Sequence, residues 1–256
     1  MTPEEESGVL LGRNPILEAL KSGRALDKLL VAKGERDGSI NQILHLAREA
    51  GVTIQMVDRV KLEMLARTQG VHAHQGVAAY LSFARTASVE DMIKSAEEQG
   101  QPPLIIVLDG ITDPYNVGSI LRSAECMGAH GVVIPKRRSA GVNAAAAKAS
   151  SGAVMHMPVA RVNSLSSALE QFKRLGLWVI GADANGMDSE SADLTGPVAL
   201  VIGAEGEGLS HSVREACDFL VGIALSGRIE SLNASVAAAL LIYERRRQMR
   251  QKADAK

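Results

Sequence analysis

Three short polar stretches, each following an apolar run, hold the residues of this 256-residue chain that can do chemistry. The first runs from Asp109 to Arg122, turns at Pro114 and enters a helix carrying Asn116 and Arg122. A junction of this kind, where a buried apolar run turns into a helix that carries polar groups, is where enzymes place chemistry. In the second, Leu200 to Ser210, Gly203, Gly206 and Gly208 flank Glu205. Glycines there permit positive φ and close backbone approach, and a carboxylate held in such a loop can receive a cationic or hydroxyl-bearing ligand. The third, Ile223 to Ser235, leads a strand through Ser231, Leu232 and Asn233 into a helix of small residues, Ala234, Ser235 and Ala237 to Ala239. Ser231 or Asn233 suits the cap of that helix and leaves amides free at its positive end. Each stretch also has a plain structural reading: a strand-turn-helix junction capped by Asn116, a glycine-rich loop with two solvated glutamates, and ordinary helix capping.

Loops of this kind need a sheet to carry them. From Leu104 onward the pattern alternates: strand Leu104 to Leu108, helix Val117 to Met127, strand Gly131 to Ile134, an Ala-rich helix near Asn143 to Ser151, and helix Leu165 to Leu175. Strands Trp178 to Ala182, Val198 to Ile202 and Leu220 to Ile223 follow, then a long helix from Asn233 to Gln248. Near-continuous apolar strands are buried on both faces, as in parallel sheets, and pattern alone assigns the alternation to an open doubly wound α/β sheet. Upstream, short alternating runs and helical spacings between Gly8 and Phe83 describe a smaller layered α/β unit. The polar stretch ending in Pro102-Pro103 reads as a linker with a short helix. The expected division is therefore 1–84, a linker at 85–103, and 104–256.

Composition excludes several classes. A net charge of −1 gives no global electrostatic reason to bind nucleic acid, so such a partner must be held by local patches. Lys136-Arg137-Arg138 is one patch; Arg245-Arg246-Arg247 with Arg250 and Lys252 reads as solvated charge at the end of the last helix. The two cysteines, Cys126 and Cys217, stand in no metal-type spacing and suggest no disulfide framework, so a reducing cytosol is expected. The acidic Met1 to Glu6 is unlike a secretory signal, and no apolar run approaches the ~20 residues of a membrane span. Gly-x-Gly-x-x-Gly, Walker A and Gly-x-Ser-x-Gly sequences are missing. His72-x-His74 has no acidic or thiol companion, and no metal is expected.

Taken together and in this order, the three stretches resemble the three motifs of the SpoU/TrmH (SPOUT) family of RNA 2′-O-ribose methyltransferases. The resemblance covers Leu104 to Gln248. Gly12-Arg13-Asn14-Pro15 with His74-Gln75-Gly76 is similar to the accessory RNA-binding domain of RlmB-type members. The resemblance implies a parallel-sheet α/β trefoil knot, preceded by a small α/β RNA-binding domain of ribosomal-protein L30e-like type. It also implies S-adenosylmethionine as cofactor, a homodimer, and methylation of a guanosine 2′-hydroxyl in 23S ribosomal RNA.

By motif position, the resemblance makes Arg122 the group that takes the ribose 2′-hydroxyl proton. Asn116 and Glu205 would organise that site, and Ser231 and Asn233 would orient the reacting groups. Ile202, Gly203, Ile223, Leu225 and Leu232 would hold the methyl donor. Arg13, Asn14, His74, Gln75, Lys136 and Arg137 are the RNA-contact candidates. A guanidinium pKa above about 12 makes Arg122 a poor base, so an electrostatic role stands beside the proton-transfer role. A surface pair with Glu125 is the plain structural alternative. His74 and Gln75 can equally form a turn that satisfies its own backbone. Ala224 stands where many relatives have proline, and Glu230 where small polar residues are common. Other readings are a tRNA or other rRNA methyltransferase, including an antibiotic self-resistance type, and a noncatalytic RNA-binding ribosome-assembly protein.

Overall fold

The computed structural model describes residues 8–35, 37–68, 73–229 and 231–254. The expectations attached to Met1–Glu6, His72 and Glu230 lie outside these residues. The chain divides into a unit running through Phe83, joined by Val142–Ala144, and a second comprising Ala84–Gly141 and Ala145–Lys256.

The first unit is built from β1 (Val9–Leu11), α1 (Arg13–Lys21), β2 (Leu26–Ala32), α2 (Gly38–Glu49), β3 (Thr53–Val57), α3 (Arg59–Thr68) and β4 (Val77–Leu81). Its sheet runs β1-β4-β2-β3, with β2 parallel to β3 and β4 antiparallel to both of its neighbours. Successive residues of a strand face opposite sides, so β2 feeds two cores. Leu29 and Val31 pack with Ile16, Ile40 and Ile43 of α1 and α2, whereas Leu30 packs with Leu62 and Ala66 of α3. The sequence reading missed β1, because Val9-Leu10-Leu11 is too short a run to show a period.

The second unit contains β5 (Arg85–Thr86), α4 (Val89–Glu98), β6 (Leu104–Leu108), α5 (Pro114–Cys126), β7 (Gly131–Pro135), α6 (Ala144–Ala149) and β8 (Pro158–Val162). It continues with α7 (Leu165–Arg174), β9 (Trp178–Asp188), β10 (Val198–Ile202), α8 (His211–Ala216), β11 (Phe219–Gly222) and α9 (Ala234–Asp254). The strand order is β11-β9-β10-β6-β7-β8-β5, and every pairing is parallel. From β6 the chain moves outward through β7 and β8, then crosses to the other side for β9. Neighbouring β6 and β10 therefore flank the point where the winding reverses, and a crevice opens there at the carboxyl ends of the strands. All three polar stretches leave the sheet at that end. Ile105 and Val107 of β6 join one buried cluster with Val89 and Met92 of α4, Phe172 of α7 and Val213 of α8. Helix α9 packs on α5.

Two expectations change. Residues 85–103, read as a linker, supply edge strand β5 and helix α4 to the second unit. A Ser88–Asp91 capping box starts α4, and Val89, Met92, Ile93 and Ala96 are buried on one face. The short helix expected there is present; polar residues on its outer face hid only that its other face is buried in the second unit. The C-terminal arginine run is not uniformly solvated: Arg245 is buried, and its Nη2 donates to the carbonyls of Pro102 (2.9 Å) and Gly196 (3.1 Å). Burial pulls its guanidinium down to about 10, so it remains cationic at neutral pH. Arg247 pairs with Glu244 through two bonds of 2.8 Å. Helix α9 runs on to Asp254, so Lys252 stands in its last turn and the arginines in the turns before it.

Candidate active site

Helix α5 begins earlier than its apolar spacing suggests, at Pro114, whose fixed φ and missing N–H suit the first helical position. Asp113 is the cap, its Oδ1 accepting from Tyr115 N at 3.0 Å. Asn116 is thereby released from capping, and its Nδ2 donates to Glu205 Oε1 at 2.8 Å. Asn233 Nδ2 donates to the same oxygen and, at 3.0 Å, to Asn116 Oδ1. The Ala234 amide, at the start of α9, approaches Glu205 Oε1 at 3.4 Å. The first-turn amides of a helix attract negative charge, so α9 holds the carboxylate electrostatically as well. Asn233 uses its other amide atom, Oδ1, to cap α9 by accepting from Ser235 N (3.0 Å) and Val236 N (3.3 Å). Residues from all three polar stretches thus meet at Glu205.

The glycine loop is rigid for identifiable reasons. Ala204 and Gly208 exchange both backbone hydrogen bonds, at 3.0 and 2.9 Å, while Gly206 and Gly208 take φ of +77° and +68°. A Cβ on Gly203 would stand 2.6 Å from Leu209 N, which leaves no room for a side chain. Buried Asp109, at the end of β6, accepts from Ser210 N at 2.7 Å and ties down the far side of the loop. Asp109 opens the first polar stretch, where residue type and spacing alone give it no role.

A cavity of about 400 Å³ opens beside Glu205 and is lined by all five expected donor-binding residues, Ile202, Gly203, Ile223, Leu225 and Leu232. Ser231 also lines it, as do Ala182 to Asn185 of β9, which the sequence reading did not single out. A second cavity of about 290 Å³ is lined by Gly110 to Asp113, Asn116, Ala204, Glu205 and Glu207, so Glu205 belongs to both. Arg122 stands apart. Six residues beyond Asn116 on the same helix, it is displaced by about 9 Å along the axis and about 120° around it. It is exposed, and its Nη1 donates to Ser151 Oγ at 3.1 Å.

The RNA-contact candidates separate as well. Arg13 is held inside its own unit: Nε donates to Gln75 O (3.0 Å), Nη2 to Glu35 (3.2 Å), and Nη1 to Asp37 and Ser39. Gln75 Oε1 accepts from Arg13 N at 2.9 Å. His74 is 7% exposed and its Nδ1 accepts from Gly76 N at 3.0 Å, the bond expected of a turn that satisfies its own backbone. Asn14 and Arg137 are exposed; Lys136 is half-buried behind β7. Among the described residues no cluster of His, Cys, Asp and Glu can hold a metal ion, and no helix is long and apolar enough to cross a membrane.

Residues 103–243 match the family model of the SpoU rRNA Methylase family, and residues 9–87 match that for RNA 2′-O ribose methyltransferase substrate binding. The chain belongs to the SpoU/TrmH family of RNA methyltransferases. Among its SpoU/TrmH relatives is YacO of Bacillus subtilis (strain 168), a TrmH family tRNA/rRNA methyltransferase. It is 45% identical over 241 residues, covering 94% of this chain and 95% of YacO. A TrmH family tRNA/rRNA methyltransferase of Staphylococcus saprophyticus is 41% identical, covering 93% and 95%. The SpoU methyltransferase AviRb of Streptomyces viridochromogenes, solved in complex with the cofactor AdoMet, superposes with a TM-score of 0.60 at 27% identity, covering 97% of this chain and 93% of AviRb. The SpoU/TrmH family takes its methyl group from S-adenosylmethionine.

Proposed function

We propose that this chain methylates the 2′-hydroxyl of a guanosine ribose in 23S ribosomal RNA, as an RlmB-type enzyme of the cytosol. The observation that carries the reaction is the convergence of Asn116, Asn233 and the Ala234 amide on one oxygen of Glu205, between two cavities. The larger cavity fits the donor: about 400 Å³ lies within the usual range for small-molecule sites, and its lining mixes apolar and polar residues. Ile202, Gly203, Ile223, Leu225 and Leu232 hold the donor, and when bound it supplies an electrophilic sulfonium methyl group.

All three contacts to Glu205 fall on Oε1. Oε2 carries none of these contacts and is left to accept a hydrogen bond from the ribose hydroxyl and, as the methyl group is transferred, its proton, which would pass on to solvent. Asn116 and Asn233 prevent the carboxylate from turning, and Ser231 presents a hydroxyl from the donor side. Alignment at roughly 3 to 3.5 Å carries much of the rate in a displacement of this kind. Arg122, a permanent cation, lines neither cavity; the resemblance gives it a role toward the substrate, and its charge suits a substrate phosphate or the developing alkoxide better than it suits a base. A homodimer is supported by the exposed apolar stripe Val236, Leu240 and Tyr243 on α9, a helix that packs on α5, whose Tyr115 is exposed as well.

The decisive experiment maps 2′-O-methylation across cellular RNA with and without the gene. Loss of one large-subunit guanosine mark is expected; loss of a tRNA mark instead would move the chain to the tRNA-modifying reading. Calorimetry with S-adenosylmethionine separates both from a noncatalytic scaffold, which need not bind it.

A further inference from the structure

The wall of the larger cavity formed by β9 has an unusual origin. Strand β11 pairs with β9 as Leu220 opposite Gly181, and the next residue, Val221, faces Met187. One step on β11 thus corresponds to six on β9, and Ala182, Asp183, Ala184, Asn185 and Gly186 are looped out of the ladder. The first four of these line the cavity. Close backbone contact presses the excursion against β11: a Cβ on Gly186 would lie 2.6 Å from Val221 N, and one on Gly222 would lie 2.9 Å from Asp183 O. Inside it, Asp183 Oδ1 accepts from Asn185 N at 2.9 Å, closing a local turn. The other oxygen, Oδ2, is gripped by Arg214 Nη1 of α8. The Asp183 side chain is only 12% exposed, so the pair sits largely out of water on its acidic side.

We infer that Asp183 and Arg214 are positioning residues for the methyl donor: the ion pair holds the 182–185 shelf of β9 open at the width the donor needs. This rests on the functional reading above and adds residues to it that lie outside the three polar stretches. Asp183 has both oxygens engaged within the protein, so it shapes the cavity instead of binding the donor directly. Arg214 does not line the cavity and acts only through Asp183. Strand pairing cannot hold the shelf, because these residues have left the ladder; the glycine contacts set its floor and the ion pair sets its outward limit.

The test measures donor affinity by calorimetry and single-turnover methylation at saturating donor for the full-length wild type, Arg214→Ala, Asp183→Asn and Glu215→Ala. Glu215, on the same helix, is an exposed control. Arg214→Ala and Asp183→Asn are expected to weaken donor binding about tenfold, with the rate at saturating donor within about twofold of wild type, since a charge-assisted hydrogen bond is lost but no reacting group is touched. Glu215→Ala should bind as wild type. Arg214 is 44% exposed, so its truncation tests the idea even where an Asp183 variant folds poorly. Wild-type affinity in both Arg214→Ala and Asp183→Asn overturns this inference alone. A wild-type chain that binds no donor overturns the functional reading and takes this inference with it.

Discussion

Two polar clusters, one in each unit, use nearly the same side chains to opposite ends. In the first unit Arg13 is matched by two carboxylates, Glu35 and Asp37, and by Gln75, so its charge is neutralised inside the protein. In the second, the carboxylate of Glu205 is met only by neutral donors, Asn116, Asn233 and a helix amide, while Arg122 rests against a serine hydroxyl. Internal charge pairing fastens the turn at Gln75 to the start of α2 and leaves little for a ligand. Neutral partners fix Glu205 in place yet leave its charge available. The same reasoning separates a cation that builds structure from one that is free to act, and the proposed function assigns Arg122 to the second group.

The contrast is broken most sharply at Glu205. Glu205→Ala removes the shared acceptor and should lower single-turnover methylation by about 100-fold or more, with only a modest fall in melting temperature. Near-normal turnover would mean the hub is scaffolding. Arg122→Lys keeps the charge but loses the planar fork, so methylation should fall by about 100-fold while calorimetric affinity for S-adenosylmethionine holds. Wild-type turnover in this variant would remove Arg122 from the mechanism.

Effects in the structural group should appear in stability instead. Arg245→Ala strips the carbonyls of Pro102 and Gly196 of a buried donor and should cost about 3 kcal/mol in urea denaturation. Arg13→Ala should cost about 1–2 kcal/mol and leave the salt dependence of RNA affinity unchanged. A shallower slope, by about one, would make Arg13 a phosphate contact and erase the contrast. The smallest effect concerns His130, which is buried, accepts from Leu104 N at 3.1 Å and lies in the field of Arg245. Burial first, and then Arg245, lowers its pKa below the ordinary 6.5. The unfolded chain therefore takes up the proton first, and stability should decline as pH falls below about 6.5. His130→Asn should flatten that decline in denaturation curves recorded across the same range.

Strand positions and the order of the three polar stretches were legible because apolar runs such as Leu104 to Leu108 are buried along their whole length. Their convergence was legible only through the family resemblance, since Asn116 and Glu205 are 89 residues apart and no local period links them. β8 escaped notice because Pro158 and Arg161 interrupt its short run. The role of Arg245 was hidden by its neighbours, as three consecutive arginines suggest surface whichever of them points inward. The shelf at 182–186 depends on which residues of β9 decline to pair, a choice made by close packing at Gly186 and Gly222 that no single-strand pattern records.

Asn233 reaches back 28 residues to Glu205 and 117 to Asn116, and α9 follows it directly. Chains emerge from synthesis amino end first, and domains fold largely as they appear. The substrate-binding unit is thus complete long before Glu205 receives its last two donors and before the cavity gains the wall formed by Ser231 and Leu232. A half-made chain can fold its first unit yet lacks a centre at which to react, so the order of translation itself keeps methyl transfer silent until the final helix docks.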